Sequence, residues 1–407
     1  MSTSLPLRRV RNDDDDDLLA LARAVSRHFY EDESDDELRL WLPFLRGCVS
    51  LVVEDGDRLV GNFGSLQVDI STPGGGRLPC AGITVVGVSQ THRRRGLLRR
   101  MMTAGLDDAV EREQPVAALF ASESAIYPRF GYGIAAPTIE YRVDTSRLRF
   151  LDPVDPHLVV DLDPADVVAE ASTIIALVGD RRPGLVSRTA AELRMTLQDD
   201  PPSFRRGASS RRLVQVPGRG YATYRVKDDF RDGVLAGEVR LQQLLATDPE
   251  AEQALWQHVL DVDLTATVTA DLRPPDDALP WMVEDRLRLR MGESAPLYVR
   301  ILDVVRCLAS RTSAVSDGLV LEVHDPERDA GGTYRWDVSP EGAACSRTDA
   351  APDVVLPIDV LAAVWLGGTP PTRLVDARRL EERTPGAVAR LDQMVATEHA
   401  PWTPWEF

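Results

Sequence analysis

Apolar and polar positions along the first 150 residues predict helices and strands in a mixed order. Leucine and alanine recur at helical spacing in DDLLALARAVSRHF (16–29) and again in GLLRRMMTAGLDDAVERE (96–113). β-Branched runs in CVSLVVEDG, AGITVVGVS and PVAALFAS predict strands, and Asp and Gly in EDGDRLVG predict a hairpin turn. This order of helix, antiparallel strands and strand–loop–helix–strand predicts an α/β domain.

A proline-rich segment, LDPVDPHLVVDLDPAD, marks a boundary near residue 150. The patterns RRLVQVP, GYATYRVKDD and GVLAGEVRLQQLLA predict strands, and the last of them runs into a predicted helix in TDPEAEQALWQHVLDV. This strand–turn–helix layout is similar to that of residues 83–110. The similarity suggests an internal duplication.

The turn before that second helix differs in kind from its counterpart. Thr247 or Asp248 can cap the helix, Pro249 suits its first position, and Glu250 and Glu252 complement the helix dipole. We therefore expect this helix start to be satisfied internally and to repel phosphate.

A third pattern begins near residue 293. GLVLEVHD and GTYRWDVSP predict strands, DVVLPIDVLAAVWLGG predicts a strand and an apolar helix, and the tail APWTPWEF is rich in aromatic residues. A chain of 407 residues is too long for one hydrophobic core. The patterns therefore predict three domains, at residues 1–150, 151–292 and 293–407.

Composition narrows the classes of function. A formal charge of −17 argues against general nucleic-acid binding, which needs a basic face, but an acidic surface attracts cationic substrates as well as favouring solubility. The four cysteines form no metal-binding motif, so we expect no metal site and buried thiols in a reducing cytoplasm. No signal peptide and no membrane span are predicted.

Five arginines are concentrated in THRRRGLLRR (91–100), between a predicted strand and a predicted helix. Backbone N–H groups at a helix start bind anions, Gly96 permits close approach of the backbone, and Arg93, Arg94, Arg95 and Arg99 add positive charge. The alternative is an exposed basic helix end, but cations there oppose the helix dipole. An anion such as a pyrophosphate or 3′-phosphate is therefore expected.

Arg93–Leu98 resembles motif A of the GCN5-related N-acetyltransferases, Arg/Gln-x-x-Gly-x-Gly/Ala, except at Leu98, where that family prefers a small residue. HRRRGLL, PVAALFASESAIYPRFGYG, the three-domain length and the aromatic-Glu-Phe C-terminus are similar to the actinobacterial enhanced-intracellular-survival (Eis) acetyltransferases. The resemblance implies an α/β fold with mixed sheets. Tandem acetyltransferase folds, the second without a CoA site, would precede a sterol-carrier-protein-like domain that supplies the C-terminal carboxylate.

The same resemblance implies acetyl-CoA as co-substrate. Its pantetheine would pair with the backbone of Val86, Gly87 and Val88. Its pyrophosphate would bind the arginine loop at Arg94, Arg95, Gly96, Leu97, Leu98 and Arg99. Ser122 and Glu123, after the next strand, would lie near the cofactor.

Tyr127 and Tyr132 follow a buried strand, and from the residues alone either is an ordinary core aromatic or a proton donor. A phenol with a pKa near ~10 can protonate a departing thiolate with a pKa near ~8.5. The resemblance implies that Tyr127 is this acid and that the terminal carboxylate of Phe407 is the base. A carboxyl group with a pKa near ~3.5 is a much weaker base than a lysine-like amine, and the difference between their pKa values corresponds to about 9 kcal/mol. The carboxylate therefore accepts the proton during attack, acts through water, or orients the ammonium by charge.

The resemblance places the acceptor pocket along SRHFYEDESDDELRLW, with Trp41 as a pocket wall and Val85 among the residues in contact with substrate. Glu406, next to the terminal carboxylate, would make this pocket anionic and suited to polyamines. It implies N-acetylation of aminoglycoside-like or polyamine amines by direct attack in a ternary complex, by a homo-oligomer, expected to be a hexamer. A protein-lysine acetyltransferase is one alternative. A non-catalytic acyl-CoA or lipid-binding protein is the other.

Overall fold

The computed structural model describes residues 5–231, 233–328 and 330–407. Asp14 caps the first long helix by accepting hydrogen bonds from the backbone of Asp16 and Asp17, and the predicted hairpin joins the second and third strands. In chain order, the elements of the first part are β1 (Leu7–Arg9), α1 (Asp15–His28), α2 (Asp35–Arg39), α3 (Leu42–Gly47), β2 (Cys48–Asp55), β3 (Arg58–Ser71), β4 (Arg77–Val88), α4 (Leu97–Glu111), β5 (Val116–Phe120) and β6 (Gly133–Asp144).

The middle part repeats one feature of the first. Strands β4 and β5 are parallel and joined through α4, and two strands of the middle part are likewise parallel and joined through a helix, as the duplication predicts. In order, the middle elements are β7 (Val160–Asp161), α5 (Val167–Gly179), α6 (Ala190–Leu193), β8 (Arg212–Val216), β9 (Gly220–Lys227), β10 (Phe230–Arg231), β11 (Val234–Leu235), β12 (Gly237–Ala246), α7 (Pro249–Leu260), β13 (Thr265–Arg273), α8 (Leu279–Met282) and β14 (Met291–Ile301).

The last part forms a separate sheet with the strand order β17-β16-β15-β18-β19, covered by apolar helices. Its elements are α9 (Val304–Ala309), β15 (Asp317–His324), β16 (Gly332–Ser339), β17 (Gly342–Arg347), β18 (Val354–Pro357), α10 (Ile358–Trp365), α11 (Pro371–Asp376), β19 (Glu381–Glu382) and α12 (Ala387–Val395). Short 3₁₀ turns span Gln90–His92, Tyr127–Phe130, Pro156–Leu158, Pro202–Arg205 and Arg286–Leu289, and a π turn spans Arg194–Gln198.

One sheet joins the first and middle parts, in the order β1-β2-β3-β4-β5-β14-β6-β13-β12-β9-β8-β7. Strand β14 is the last strand of this sheet in sequence order, but it lies between β5 and β6 and is antiparallel to both. The boundary predicted at residue 293 therefore falls inside a strand of this sheet. A fully buried ion pair between Arg300 on β14 and Asp325 after β15, at 2.6 Å, ties the last part to this strand.

The aromatic C-terminal tail packs on the middle part. Trp402 and Trp405 are buried in an apolar cluster that also contains residues of α5, and Trp402 Nε1 donates a hydrogen bond to the carbonyl of Leu272. Arg182 and Arg273 lie over the Trp402 ring, which adds cation–π attraction. The terminus is thereby led back to the ends of β4 and β5.

Across the described ranges, no helix has the length and apolar character needed to cross a bilayer. Within these described ranges, no three or more His, Cys, Asp or Glu side chains are grouped so that they could hold a metal ion.

Candidate active site

Strands β4 and β5 separate at their carboxyl ends. They pair in parallel only from Cys80 opposite Val116 to Gly82 opposite Ala118, whereas β4 continues to Val88. The last six residues of β4 therefore keep one backbone edge away from β5. A gap between two parallel strands exposes peptide groups that a ligand can pair with.

A bulge at Val85 turns that edge toward the gap. The pairing of β4 with β3 shifts between Thr84 and Gly87, and Val85 has a φ of +45°, a left-handed conformation that is rare for a β-branched residue. The buried Asn62 side chain donates to the Val85 carbonyl, and His28 contacts the amide oxygen of Asn62. These contacts hold the unusual conformation in place.

The orientation of the peptide groups beyond the bulge follows from one hydrogen bond. The Ser89 N–H donates to the carbonyl of Val60 at 2.9 Å, so Ser89 and, two residues earlier, Gly87 direct their backbone groups to β3. Val86 and Val88 alternate with them and direct theirs into the gap. The backbone N–H and C=O groups of Val86 and Val88 can therefore pair with an extended amide chain.

The arginine loop lies beside this gap. Gly96 has a φ of +77° and begins α4 without a side-chain cap in the described residues, and a Cβ there would have no protein atom within 4 Å. Arg93, Arg94 and Arg95 are exposed, and none of their side chains forms a hydrogen bond or ion pair within the described ranges. This helix start therefore offers unpaired N–H groups and cationic side chains to an anion.

Arg99, in the first turn of α4, is engaged by the last part of the chain. Its Nη1 donates to Glu327 at 2.6 Å, and its guanidinium lies 5.7 Å from the centre of the Phe130 ring. One acidic side chain thus already balances the charge of Arg99. The side chains of Arg93, Arg94 and Arg95 remain available, whereas Arg100 Nη1 donates to the carbonyl of Leu5.

The start of the corresponding helix of the middle part, α7, is already capped by side chains of the protein itself. Asp248 caps α7 by accepting from the Ala251 N–H at 3.0 Å, Pro249 occupies the first turn, and Arg219 pairs with both Asp248 and Glu250. Of the two sequence candidates, Asp248 is the cap, while the Thr247 hydroxyl donates to the Arg219 carbonyl.

A cavity of about 400 Å³ opens at the gap and brings together residues from all three parts of the chain. Val85 and Val86 of β4, Ser122 after β5, and Trp41 line it, together with Tyr127, Arg188, Glu406 and Phe407. Glu123 is exposed on the same loop as Ser122. The phenol and the last residue of the chain therefore face one space beside the open edge of β4.

The structure separates the two candidate tyrosines. Tyr127 lines the cavity, whereas Tyr132 is fully buried behind it, with 5.9 Å between the ring centres. Burial, and secondly the nearby Glu123 carboxylate, raises the pKa of Tyr127 above its usual value. Tyr127 is therefore protonated at neutral pH and can donate a proton.

Arg188 fixes the C-terminal residues in the cavity. It donates to the Glu406 carbonyl at 3.0 Å and to the Thr196 hydroxyl at 2.7 Å, and its guanidinium lies 4.7 Å from the centre of the Trp405 ring. Burial lowers its pKa to about 10, so it stays charged at neutral pH. Within the described residues the Phe407 carboxylate has no hydrogen-bond or ion-pair partner, which leaves it free for a substrate.

Comparisons with known proteins agree with this geometry. Family models of acetyltransferase (GNAT) domains match residues 7–135 and 184–301, and a sterol carrier protein domain matches residues 304–404. An uncharacterized N-acetyltransferase of Streptomyces avermitilis is 38% identical over 384 residues, covering 92% of this chain and 93% of its own. The N-acetyltransferase Eis of Mycobacterium tuberculosis is 32% identical over 414 residues, covering 97% of this chain and 98% of its own.

This chain belongs to the Eis family of GCN5-related N-acetyltransferases. The crystal structure of Eis1 from Mycobacterium abscessus is similar to it throughout, with a TM-score of 0.84 and 29% identity, covering 99% of this chain and 100% of the other. The tandem GNAT folds and the sterol-carrier-like domain expected from the sequence are confirmed. As an N-acetyltransferase the chain is an enzyme, so the non-catalytic alternative is wrong.

Sequence reasoning missed two residues of this Eis-family site. Arg188 lies in the unremarkable segment GLVSRTA, and Asn62 lies inside a strand, so neither carries a motif. Only the tertiary structure brings Arg188 to Glu406, and only the bulge gives Asn62 its partner at Val85. A buried Asn in an apolar strand was the one available signal, because such a side chain needs hydrogen-bond partners.

Proposed function

We propose that this Eis-family enzyme transfers the acetyl group of acetyl-CoA to the amine of a cationic small molecule, of aminoglycoside or polyamine type, by direct attack in a ternary complex. One observation carries the proposal: Tyr127 and Phe407 line the same cavity as the open edge of β4. This shared cavity supports a proton donor and a carboxylate on either side of the position that we propose for the thioester.

In this proposal the co-substrate binds along the gap. The backbone of Val86 and Val88 pairs with pantetheine, Gly87 lying between them, and the start of α4 holds the pyrophosphate. The groups that would bind it are the N–H groups of Gly96, Leu97 and Leu98 and the side chains of Arg94 and Arg95, with Arg99 shared with Glu327. Ser122 and Glu123, after β5, lie beside the thioester end.

The chemistry then needs two proton transfers. The amine nitrogen forms a bond to the carbonyl carbon while the carbon–sulfur bond breaks, and the electron pair leaves on sulfur. Tyr127 donates its phenolic proton to that thiolate, and the Phe407 carboxylate accepts the proton that the nitrogen loses as it becomes acidic. Before attack the same carboxylate orients the ammonium by charge, and the ammonium loses one proton to water so that the neutral amine can attack.

The acceptor is proposed to enter past Trp41, Val85 and Glu406. Trp41 Nε1 donates to Glu33 at 3.1 Å, and burial, followed by repulsion from Asp271, raises the pKa of Glu406. These carboxylates favour a cation. A second cavity, of about 1020 Å³, adjoins this entrance and supports one further candidate, the acetylation of lysine side chains in peptides.

The second GNAT domain is proposed to lack a CoA site, because Asp248 and Arg219 already satisfy the start of α7. The family resemblance also leads us to propose a hexamer located in the cytoplasm. Light scattering of the purified protein measures its oligomeric state, and fractionation of producing cells measures its location.

Thiol release from acetyl-CoA, assayed with aminoglycosides, polyamines and lysine peptides, tests the proposed activity. We expect release with at least one amine and an N-acetylated product by mass spectrometry. Binding of CoA without an acetylated product from any of these classes would overturn the proposal.

A further inference from the structure

The second cavity extends from the active site over the middle domain. Its lining includes six residues that also line the smaller cavity: Glu31, Trp41, Arg188, Met195, Thr196 and Glu406. Beyond them it follows one face of β9, where Thr223 and Arg225 project, whereas Tyr224 and Val226 on the other face pack with α7. The space is therefore continuous with the place where the acceptor amine must react.

Positive charge exceeds negative charge along the middle-domain wall of this cavity. Arg225 donates to Asp200 at 2.6 Å, and Arg205 lies 3.4 Å from the same carboxylate. Arg211 forms no ion pair within the described ranges. Its Nη1 donates to two backbone carbonyls, those of Leu197 and Asp199 at 2.8 and 3.0 Å. The guanidinium groups of Arg205 and Arg225 therefore share the Asp200 carboxylate, whereas that of Arg211 is held by neutral oxygen atoms of Leu197, Asp199 and Gln242.

Two buried donors on this wall lack partners. Arg225 is only 3% exposed, and its Nε has no hydrogen-bond partner in the part of the chain described. The hydroxyl of Thr223, which is 0% exposed, is also unpartnered there. Both residues line the cavity. Buried donors normally find acceptors, so these two, together with the excess charge, indicate an anionic ligand group.

The opposite wall carries the opposite charge. Glu31 and Glu33, from the segment between α1 and α2, line this cavity with Glu406. Glu31 and Glu406 extend into the smaller cavity, whereas Arg211 and Arg225 line only the larger one. A cationic amine is thus favoured near Tyr127, and an anion is favoured at a distance from it.

We propose that the acceptor is an amine that also carries an anionic group, and that Arg211, Arg225 and Thr223 bind this group while the amine reacts at Tyr127 and Phe407. The proposal rests on the proposed acetyl transfer and specifies its substrate class. A carboxylate or a phosphate meets the requirement, because both accept hydrogen bonds from guanidinium groups.

Matched peptides that differ in one carboxylate test this inference. C-terminally amidated peptides Lys-Glu and Lys-Gln, with no, one or two glycines between the two residues, are compared for kcat/KM by thiol release. Phosphoethanolamine and ethanolamine form the phosphate pair. We expect the anionic member to be favoured by about tenfold for at least one pair. Equal values for every pair, in turnover and in equilibrium binding by calorimetry, would overturn the proposal.

Substitution of Arg211 locates the site. Arg211→Gln should reduce the ratio of the kcat/KM values of the anionic and neutral members to near one while leaving the Kd of CoA within about twofold. Arg212→Gln is the control, because this neighbouring arginine is exposed and does not line the cavity. A preference that survives Arg211→Gln would also overturn the proposal.

The two proposals can fail separately. If the peptides bind with the expected preference but no amine is acetylated, the proposed function is wrong and the anion site stands. If amines are acetylated without any preference for an anionic member, the proposed function stands and the anion site is wrong.

Discussion

The ring of Phe407 packs edge-on against the ring of Phe120, with 5.7 Å between the ring centres. Phe120 ends β5, and Phe407 also lies over Gly82, the last residue of β4 that pairs with β5, where an added Cβ would approach its ring to 3.2 Å. The last residue of the chain therefore lies where the two strands part. Glu406 and Phe407 thus bring the end of the last domain into the cavity that Tyr127 lines.

Deletion of Phe407 should reduce kcat by about a hundredfold or more, because it removes the ring that anchors the terminal carboxylate beside Tyr127. The Kd of CoA should stay within about twofold, since the gap and the arginine loop are untouched. Phe407→Leu is the matched control: it keeps the carboxylate and an apolar anchor, and we expect it to retain most activity. Full turnover by the deletion variant would rule out a role for this carboxylate.

Arg188→Met should reduce kcat by about tenfold or more, because the C-terminal residues lose the hydrogen bond at the Glu406 carbonyl and the contact with Trp405. Binding of CoA should be unaffected. Arg194→Met, at an exposed arginine a few residues further along, serves as the control. If both variants show the same turnover, Arg188 does not position the terminus.

Gly96→Ala should weaken CoA binding by about tenfold, measured by calorimetry. A Cβ at a φ of +77° costs about 1–2 kcal/mol and projects toward the anion site. Gly218→Ala is closely matched, with a φ of +67° and no atom of the described residues within 4 Å of its Cβ. It should lose similar stability and bind CoA normally, so equal CoA affinity in the two variants would contradict the assignment of the loop.

As the pH falls, acceptor binding should begin to weaken at a higher pH than it would if the glutamates at the entrance had their usual pKa. Burial, followed by repulsion from Glu31, raises the pKa of Glu33, and burial with Asp271 raises that of Glu406. A carboxyl with a raised pKa takes up its proton earlier as the pH falls, so the cation-binding charge is lost above pH 4.5, the usual Glu value.

The Kd of a polyamine, whose amines stay protonated throughout, measures this effect between pH 7 and 4.5. Glu33→Gln should flatten the profile and weaken binding at neutral pH, and circular dichroism checks that the fold persists. A Kd that does not change over this range would show that these carboxylates do not bind the amine.

Local patterns were sufficient for much of this fold. The helical repeats predicted α1 and α4, the Asp-Gly turn predicted the hairpin between β2 and β3, and the capping residues before α7 predicted its satisfied start. Each of these features is decided by residues close together in sequence. The insertion of β14 between β5 and β6 is decided by long-range pairing, which has no local signature.

The residues of the candidate site likewise fall into those with a local sequence motif and those joined by tertiary contacts. The arginine loop, Tyr127 and Phe407 were predicted from motifs, and the structure brings Tyr127 and Phe407 into one cavity. The engagement of Arg99 by Glu327 was not foreseeable, because it joins a helix of the first domain to a loop of the last. The basic wall around Arg211 was hidden by the acidic composition of the chain as a whole.

Comparison of Tyr127→Phe with Tyr132→Phe tests most directly whether the phenol of Tyr127 protonates the departing thiolate. Each substitution removes one hydroxyl, and the Tyr132 hydroxyl is buried without a hydrogen-bond partner in the described residues. The decisive measurement is kcat for thiol release at saturating acetyl-CoA and amine. We expect a loss of about a hundredfold for Tyr127→Phe and nearly full activity for Tyr132→Phe. Equal kcat values for Tyr127→Phe and the unmodified enzyme would contradict the role of Tyr127 as proton donor.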